Sequence, residues 1–255
     1  ENITDSLSVV LEANLTVQQK FLLFSYCVRA EYTYFLQTSS FQHVNKTELR
    51  HAQREVEIFL CRLFEIDDNR LTNPVSKQLL YDMPIRYGGI GTSDLTKIHA
   101  PAFYSSLLKA ACIDTRIKQK IREITAEDAD KYPIMVDFIK AARETSIVRK
   151  IHQYEDDGAD ETDLVMKLHA QTVDTKVLSL KDLTEERYNK TYKFFLNDQD
   201  ETRISKFTRV RIKFQSKSRW IRAVPSEFIK TFSDIEFRQG IYEIIDYTPP
   251  RYDRM

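Results

Sequence analysis

The stretch Met83-Pro84-Ile85-Arg86-Tyr87-Gly88-Gly89-Ile90-Gly91-Thr92 holds three of the chain's five glycines, Gly88, Gly89 and Gly91. In a chain so poor in glycine, such a cluster marks backbone that must reach positive φ or approach another segment closely. Pro84 keeps its predecessor out of the helical region, so an extended run is expected over 83–87. A sharp bend then leads into a helix from Ser93 to Asp114. A phosphate cradle would need more than glycine. A P-loop closes on Lys-Ser or Lys-Thr, and a dinucleotide fingerprint needs G-x-G-x-x-G after a buried strand. Neither pattern is present. The corner over 83–92, built on Pro84, Gly88, Gly89 and Gly91, is read as structural, a rigid bend packed between helices.

Helices flank it on both sides. Thr16 followed by Gln19 is a capping box, opening a helix to about Leu36 that is apolar nearly all round and is expected in the middle of the core. Asn45 with Glu48 repeats the start signal, and Ala52, Val56, Phe59, Leu60 and Leu63 follow at helical spacing. A short helix over Val75 to Tyr81 leads into the corner. Beyond it, Ile98, Ala102, Phe103, Leu107 and Leu108 mark a helix that Pro101 starts or kinks. Ile117, Ile121 and Ile124 mark an amphipathic one, and Pro133 suits a helix first turn. Leu164 to Ala170 reads as a short helix. Asp182 with Glu185 reads as a cap pair for a helix burying Tyr188, Tyr192, Phe195 and Leu196. Phe228 to Ile245 is helical, and the residues from Thr248 on form an extended tail.

Two charged segments organise the second half. Glu155-Asp156-Asp157-Gly158-Ala159-Asp160-Glu161-Thr162-Asp163 is acidic without the ligand spacing of an EF-hand loop, and reads as a solvated connector. From Arg203 to Arg222 there are eight basic residues in twenty and no acid: Arg203, Lys206, Arg209, Arg211, Lys213, Lys217, Arg219 and Arg222. Arg209-Val210-Arg211-Ile212-Lys213-Phe214 alternates strictly and, as a strand, would place every charge on one face. Trp220 is the chain's one tryptophan. The fold expected is mainly α: a helical bundle-like N-terminal domain over 1–154, the connector over 155–163, and a smaller basic helical domain over 164–255. At most a small β-hairpin lies near the corner or in the basic stretch.

Lysine plus arginine and aspartate plus glutamate each number 38, so any attraction to a polyanion must be local. Cys27, Cys61 and Cys112 lack metal or disulfide spacing and are expected as buried thiols. No apolar run is long enough to span a membrane. The chain opens Glu1-Asn2-Ile3-Thr4-Asp5 with neither methionine nor a signal-like run, which reads as an intracellular protein or a fragment of one. Nucleus or cytoplasm is expected, with an organelle left open. His43, His51, His99, His152 and His169 are scattered, and H-E-x-x-H and G-x-S-x-G are absent. Tyr154-Glu155-Asp156-Asp157 sits among polar residues, unlike a polymerase palm hairpin. No catalytic residue, metal ligand or cofactor is assigned, and an enzyme is not the expectation. The basic stretch is the functional candidate, since cations interleaved with Phe207, Phe214 and Trp220 supply phosphate contacts and stacking surfaces.

Three separated pieces resemble one family. Met83-Pro84-Ile85-Arg86-Tyr87-Gly88-Gly89-Ile90-Gly91 is similar to the LP-x-R-x-GGLGI signature that follows the polymerase domain in many non-LTR retroelement reverse transcriptases and their relics. Arg209 to Ile212 with Ser218 to Pro225 resembles that family's RL-x-S … WL-x-A-x-P stretch. Phe232-Ser233-Asp234-Ile235-Glu236-Phe237-Arg238 resembles the LSD-x-EF-R helix start that comes next. Order and approximate spacing agree over about residues 15 to 245. Finger and palm subdomains, the cysteine-rich knuckle and an endonuclease have no counterpart here. The resemblance implies a thumb and post-thumb region that holds RNA or a template-primer without polymerising, with backbone contact through Arg86, Arg209, Arg211, Lys213, Arg219 and Arg222. The alternative from a different class is a helical scaffold subunit whose partners are proteins of a larger assembly.

Overall fold

The structure is a computed structural model that describes residues 3–123, 131–145, 179–197, 209–210, 212–213, 219–222 and 232–249. It is mainly helical, with no strand among the described residues. Two compact units emerge, each discontinuous in sequence: Glu1–Glu31, Arg50–Leu95 and Tyr188–Met255 in unit 1, and Tyr32–Leu49 with Thr96–Arg187 in unit 2. They interleave rather than following one another as the expected serial pair. The connector expected over 155–163 and the helix over 164–170 lie outside the described residues.

Unit 1 opens with α1 (Ile3–Glu12), which buries Leu7 and Val10. At Thr16 the capping box forms as expected, with Gln19 N donating to Thr16 Oγ1 at 3.3 Å and Thr16 N to Gln19 Oε1 at 3.0 Å. It starts α2 (Val17–Leu23), which runs through a π-helical turn (Phe24–Val28) into α3 (Arg29–Thr38). Phe21 and Phe24 point into the core, but Leu23, Tyr26, Cys27 and Ala30 are exposed. The all-round apolar helix therefore lies at the surface with an apolar stripe at i, i+3, i+4 and i+7 facing water.

The helix α4 (Lys46–Phe64) ends where Glu65 turns left-handed at φ 56°. Its last turn is closed by α10 (Asp234–Ile245), whose Tyr242 Oη donates to Phe64 O at 2.6 Å while Arg238 Nε donates to Leu63 O at 3.4 Å. These bonds satisfy carbonyls that a helix end leaves without a partner. At the other end of α10, Ser233 and Glu236 form a second capping box, and Asp234 Oδ1 accepts from Val17 N at 2.8 Å. Between α4 and the corner lies α5 (Pro74–Tyr81), capped by Asn73. Phe21, Phe24, Phe59, Phe64 and Phe237 fill the core, with neighbouring rings 5.0 to 6.4 Å apart.

Unit 2 is built on α6 (Leu95–Ile113, of which Thr96 onward belongs here), α7 (Thr115–Glu123), α8 (Pro133–Glu144) and the start of α9 (Leu180–Asn197). Pro101 lies inside α6, not at its start. Ser179 and Asp182 cap α9 one turn before the expected Asp182–Glu185 pair, with Asp182 N donating to Ser179 Oγ at 3.3 Å and Ser179 N to Asp182 Oδ2 at 2.9 Å. Phe41, Phe103, Tyr104, Met135, Phe138 and Leu183 pack together, and the Tyr104 and Phe138 rings stack 4.9 Å apart at 9°. The buried Asp137 carboxylate accepts from Ser40 Oγ at 2.5 Å, Phe41 N at 3.1 Å and Gln42 N at 3.0 Å. It ties the 40–42 turn to α8.

Candidate nucleic-acid interface

At the corner, Pro84 keeps the extended geometry expected of 83–87, at φ −62° and ψ 153°. Ile85–Tyr87 forms a 3₁₀ turn, with Tyr87 N donating to Pro84 O at 2.9 Å and Gly88 N to Ile85 O at 3.0 Å. The restriction imposed by proline acts on the residue before it and leaves the residues after it free to turn. Gly88 and Gly91 sit at φ 89° and 94°, where a side chain is strained. At Gly89 the reason is contact, because a Cβ there would lie 2.1 Å from Met83 O. The remaining amides fold back on the same segment: Gly89 N donates to Pro84 O at 3.2 Å, Ile90 N to Leu79 O at 3.2 Å and Gly91 N to Met83 O at 3.0 Å. The Arg29 guanidinium donates to Gly91 O. With its N–H groups engaged this way, the bend holds no open nest of amides for a phosphate.

The structure brings the corner and the basic segment together. Ile212 is fully buried, and a Cβ on Gly88 would meet its side chain at 3.1 Å and its Cα at 3.3 Å. Arg209, half-buried, and Lys213, exposed, flank Ile212 on this short helical piece. The 209–214 alternation, which as a strand would put every charge on one face, is not a strand at the described positions, since 209–210 and 212–213 are helical. Period-two burial fails as well, with Val210 48 % exposed and Ile212 0 %. Arg86 is half-buried, its guanidinium 5.1 Å from the centre of the Tyr87 ring, a cation–π arrangement.

Arg219–Arg222 forms a 3₁₀ turn anchored by the buried Ile221. Trp220 is half-buried, its ring 5.6 Å from both Phe232 and Phe237 and edge-on to each. A Cβ on Gly240 would fall 2.4 Å from the indole, so that glycine makes room for the ring. Trp220 is thus engaged in packing. Arg203, Lys206, Arg211 and Lys217 lie outside the described residues, and Arg219 and Arg222 are placed by their backbone alone.

One neighbouring face was missed in the sequence. The Tyr87 ring lies 6.1 Å from Tyr188 and 5.5 Å from Tyr192, both on α9. On the side turned away from these tyrosines α9 exposes Lys190, Lys193, Phe194 and Asn197. Their spacing of three, one and three residues was legible as a single helical face. The helical spacing that put Phe195 inward with Tyr188 holds, with Phe195 1 % and Phe194 53 % exposed.

Arg54 bridges Glu57 at 3.1 Å and Asp68 at 2.6 Å beside an open depression of about 400 Å³. There Cys61 Sγ lies 3.0 Å from Tyr81 Oη. Burial pushes the Cys61 thiol up and Tyr81 likewise, so neither is poised as a nucleophile or base. All three cysteines are free, and Cys27 and Cys112 are exposed, contrary to expectation. His51 Nε2 lies 4.0 Å from Glu55. Among the described residues no three metal-ligating side chains converge, and no helix is long and apolar enough to cross a membrane. Compared with known proteins, no family model, curated protein or solved structure matches the chain.

Proposed function

We propose that unit 1 is a non-catalytic nucleic-acid-binding body that grips RNA, or a template-primer, by its phosphates. The observation that carries this is the packing of Gly88 on Ile212, which sets Arg209 and Lys213 beside the corner that bears Arg86. Two of the three pieces that resemble a retroelement thumb thus meet in space. The third joins the second through Trp220 on Phe237. In a chain of zero net charge, a local gathering of cations is what a polyanion would recognise.

The test is filter binding of single-stranded RNA and of duplex at rising salt. Affinity for the single strand should fall with a log–log slope that shrinks by about 0.7 for each phosphate contact removed. Arg209→Glu and Lys213→Glu should each flatten that slope. Binding that ignores both salt and charge reversal would end the proposal.

A second reading has its own observation. The exposed stripe of Leu23, Tyr26, Cys27 and Ala30 is the kind of surface that protein partners cover, which favours a helical scaffold subunit of a larger assembly. Native mass spectrometry of the endogenous complex distinguishes the two, since protein partners without RNA favour the scaffold.

A further inference from the structure

We propose that the nucleic acid taken by unit 1 is single-stranded, and that a base stacks on Phe194 of α9. This rests on the phosphate-binding reading and adds to it the state of the strand and the residue that senses it.

Single-strand binding without sequence preference combines cations with an exposed aromatic ring on which a base can lie. The conspicuous aromatic of the basic stretch does not offer such a face, because the Trp220 indole is held between Phe232 and Phe237 and against Gly240. Tyr87, Tyr188 and Tyr192 pack on one another. Phe194 is different. Its neighbour Phe195 is 1 % exposed and anchors α9 in the unit, whereas Phe194 is 53 % exposed.

The surroundings of Phe194 suit a polyanion. Lys190 precedes it by one helical turn, Lys193 adjoins it and Asn197 follows three residues later, all exposed on the same face. From Tyr188 to Asn197 there is no acid, with Glu186 before this stretch and Asp198 after it. A protein docking on an isolated phenylalanine would want apolar neighbours, and this ring has lysines. The opposite side of the same stretch of helix, through Tyr188 and Tyr192, lies against Tyr87, next to the Arg86 guanidinium. From there Gly88 touches the Ile212 segment that carries Lys213. A strand lying along the exposed face of α9 would meet Lys190 and Lys193 beside one stacking ring. A duplex hides its base faces in the stack, so the ring would gain nothing from it.

The experiment uses the full chain and fluorescence anisotropy with a labelled single-stranded RNA and the duplex of the same sequence. It compares wild type with Phe194→Ala, Phe194→Leu and Lys213→Glu, with circular dichroism to verify folding. Phe194→Ala should weaken single-strand binding about tenfold and leave duplex binding within about twofold. Phe194→Leu, which keeps an apolar side chain without a π face, should lose nearly as much. If Phe194→Leu binds like wild type, or if both variants leave single-strand affinity unchanged while Lys213→Glu lowers it, stacking on Phe194 is wrong and phosphate binding stands. If wild type binds neither RNA, both readings fall.

Discussion

Unit 1 closes where backbone must touch backbone or a ring must sit on a bare Cα, at Gly89 against Met83 O and at Gly240 beneath Trp220. Unit 2 closes on side chains, the Tyr104–Phe138 stack and the Asp137 carboxylate that gathers the 40–42 turn. The two solutions are vulnerable to opposite changes. A corner made by close approach fails when one methyl is added, whereas a packed cluster fails when atoms are taken away. The glycine solution also leaves a short, rigid bend with Arg86 carried on it. That helps to explain why the candidate interface belongs to unit 1.

The largest effect expected is at Gly89. Gly89→Ala places a Cβ where backbone already lies, and should cost about 4 kcal/mol or more. The one tryptophan lies in unit 1, so urea unfolding followed by Trp220 emission reads this loss directly. An unchanged midpoint would break the distinction drawn between the units. Next comes Asp137→Ala, which leaves Ser40 Oγ and two backbone amides without their shared acceptor and should cost about 2–3 kcal/mol. Its transition should move further by far-UV circular dichroism than by Trp220 emission, and coincident shifts would show that the units do not unfold separately.

The smallest effect is a pH dependence specific to unit 2. His99 is buried against Phe41, with ring centroids 4.5 Å apart, and its Nε2 has no hydrogen-bond partner among the described residues. Burial is the main cause that lowers its pKa, with Lys46 acting in the same direction and Glu144 and Asp137 opposing. As pH falls below about 6.5, the ordinary value for histidine, the unfolded chain takes up the proton before the folded one does. Stability is therefore lost from that pH downward to the folded pKa. The dichroism midpoint should drop between pH 7.5 and 5.5, and His99→Gln should flatten the drop.

Local signals were readable because their causes are local. The Thr16–Gln19 box and the positive φ of Gly88 and Gly91 depend on residues a turn away. The tight approach that requires Gly89 is equally local, since Met83 is only six residues off. Long-range facts were not readable. The 209–214 alternation mimicked a strand because its period was the one visible cue, while what fixes Ile212 is a glycine more than a hundred residues earlier. The α2 run looked central because tyrosine, leucine and cysteine are apolar whichever way they face, and exposure was decided by what packs on the other side.

The locks on unit 1 also impose an order in time. Val17 waits for Asp234, Leu63 and Phe64 for Arg238 and Tyr242, and Asp67 for the Tyr247 hydroxyl, pairs that stand 175 to 217 positions apart. At about 5–20 residues per second, on the order of 10 to 40 s of translation separate the first partner from the last. Until the 234–247 segment is made, the helices that precede it emerge from the ribosome with their ends unsealed.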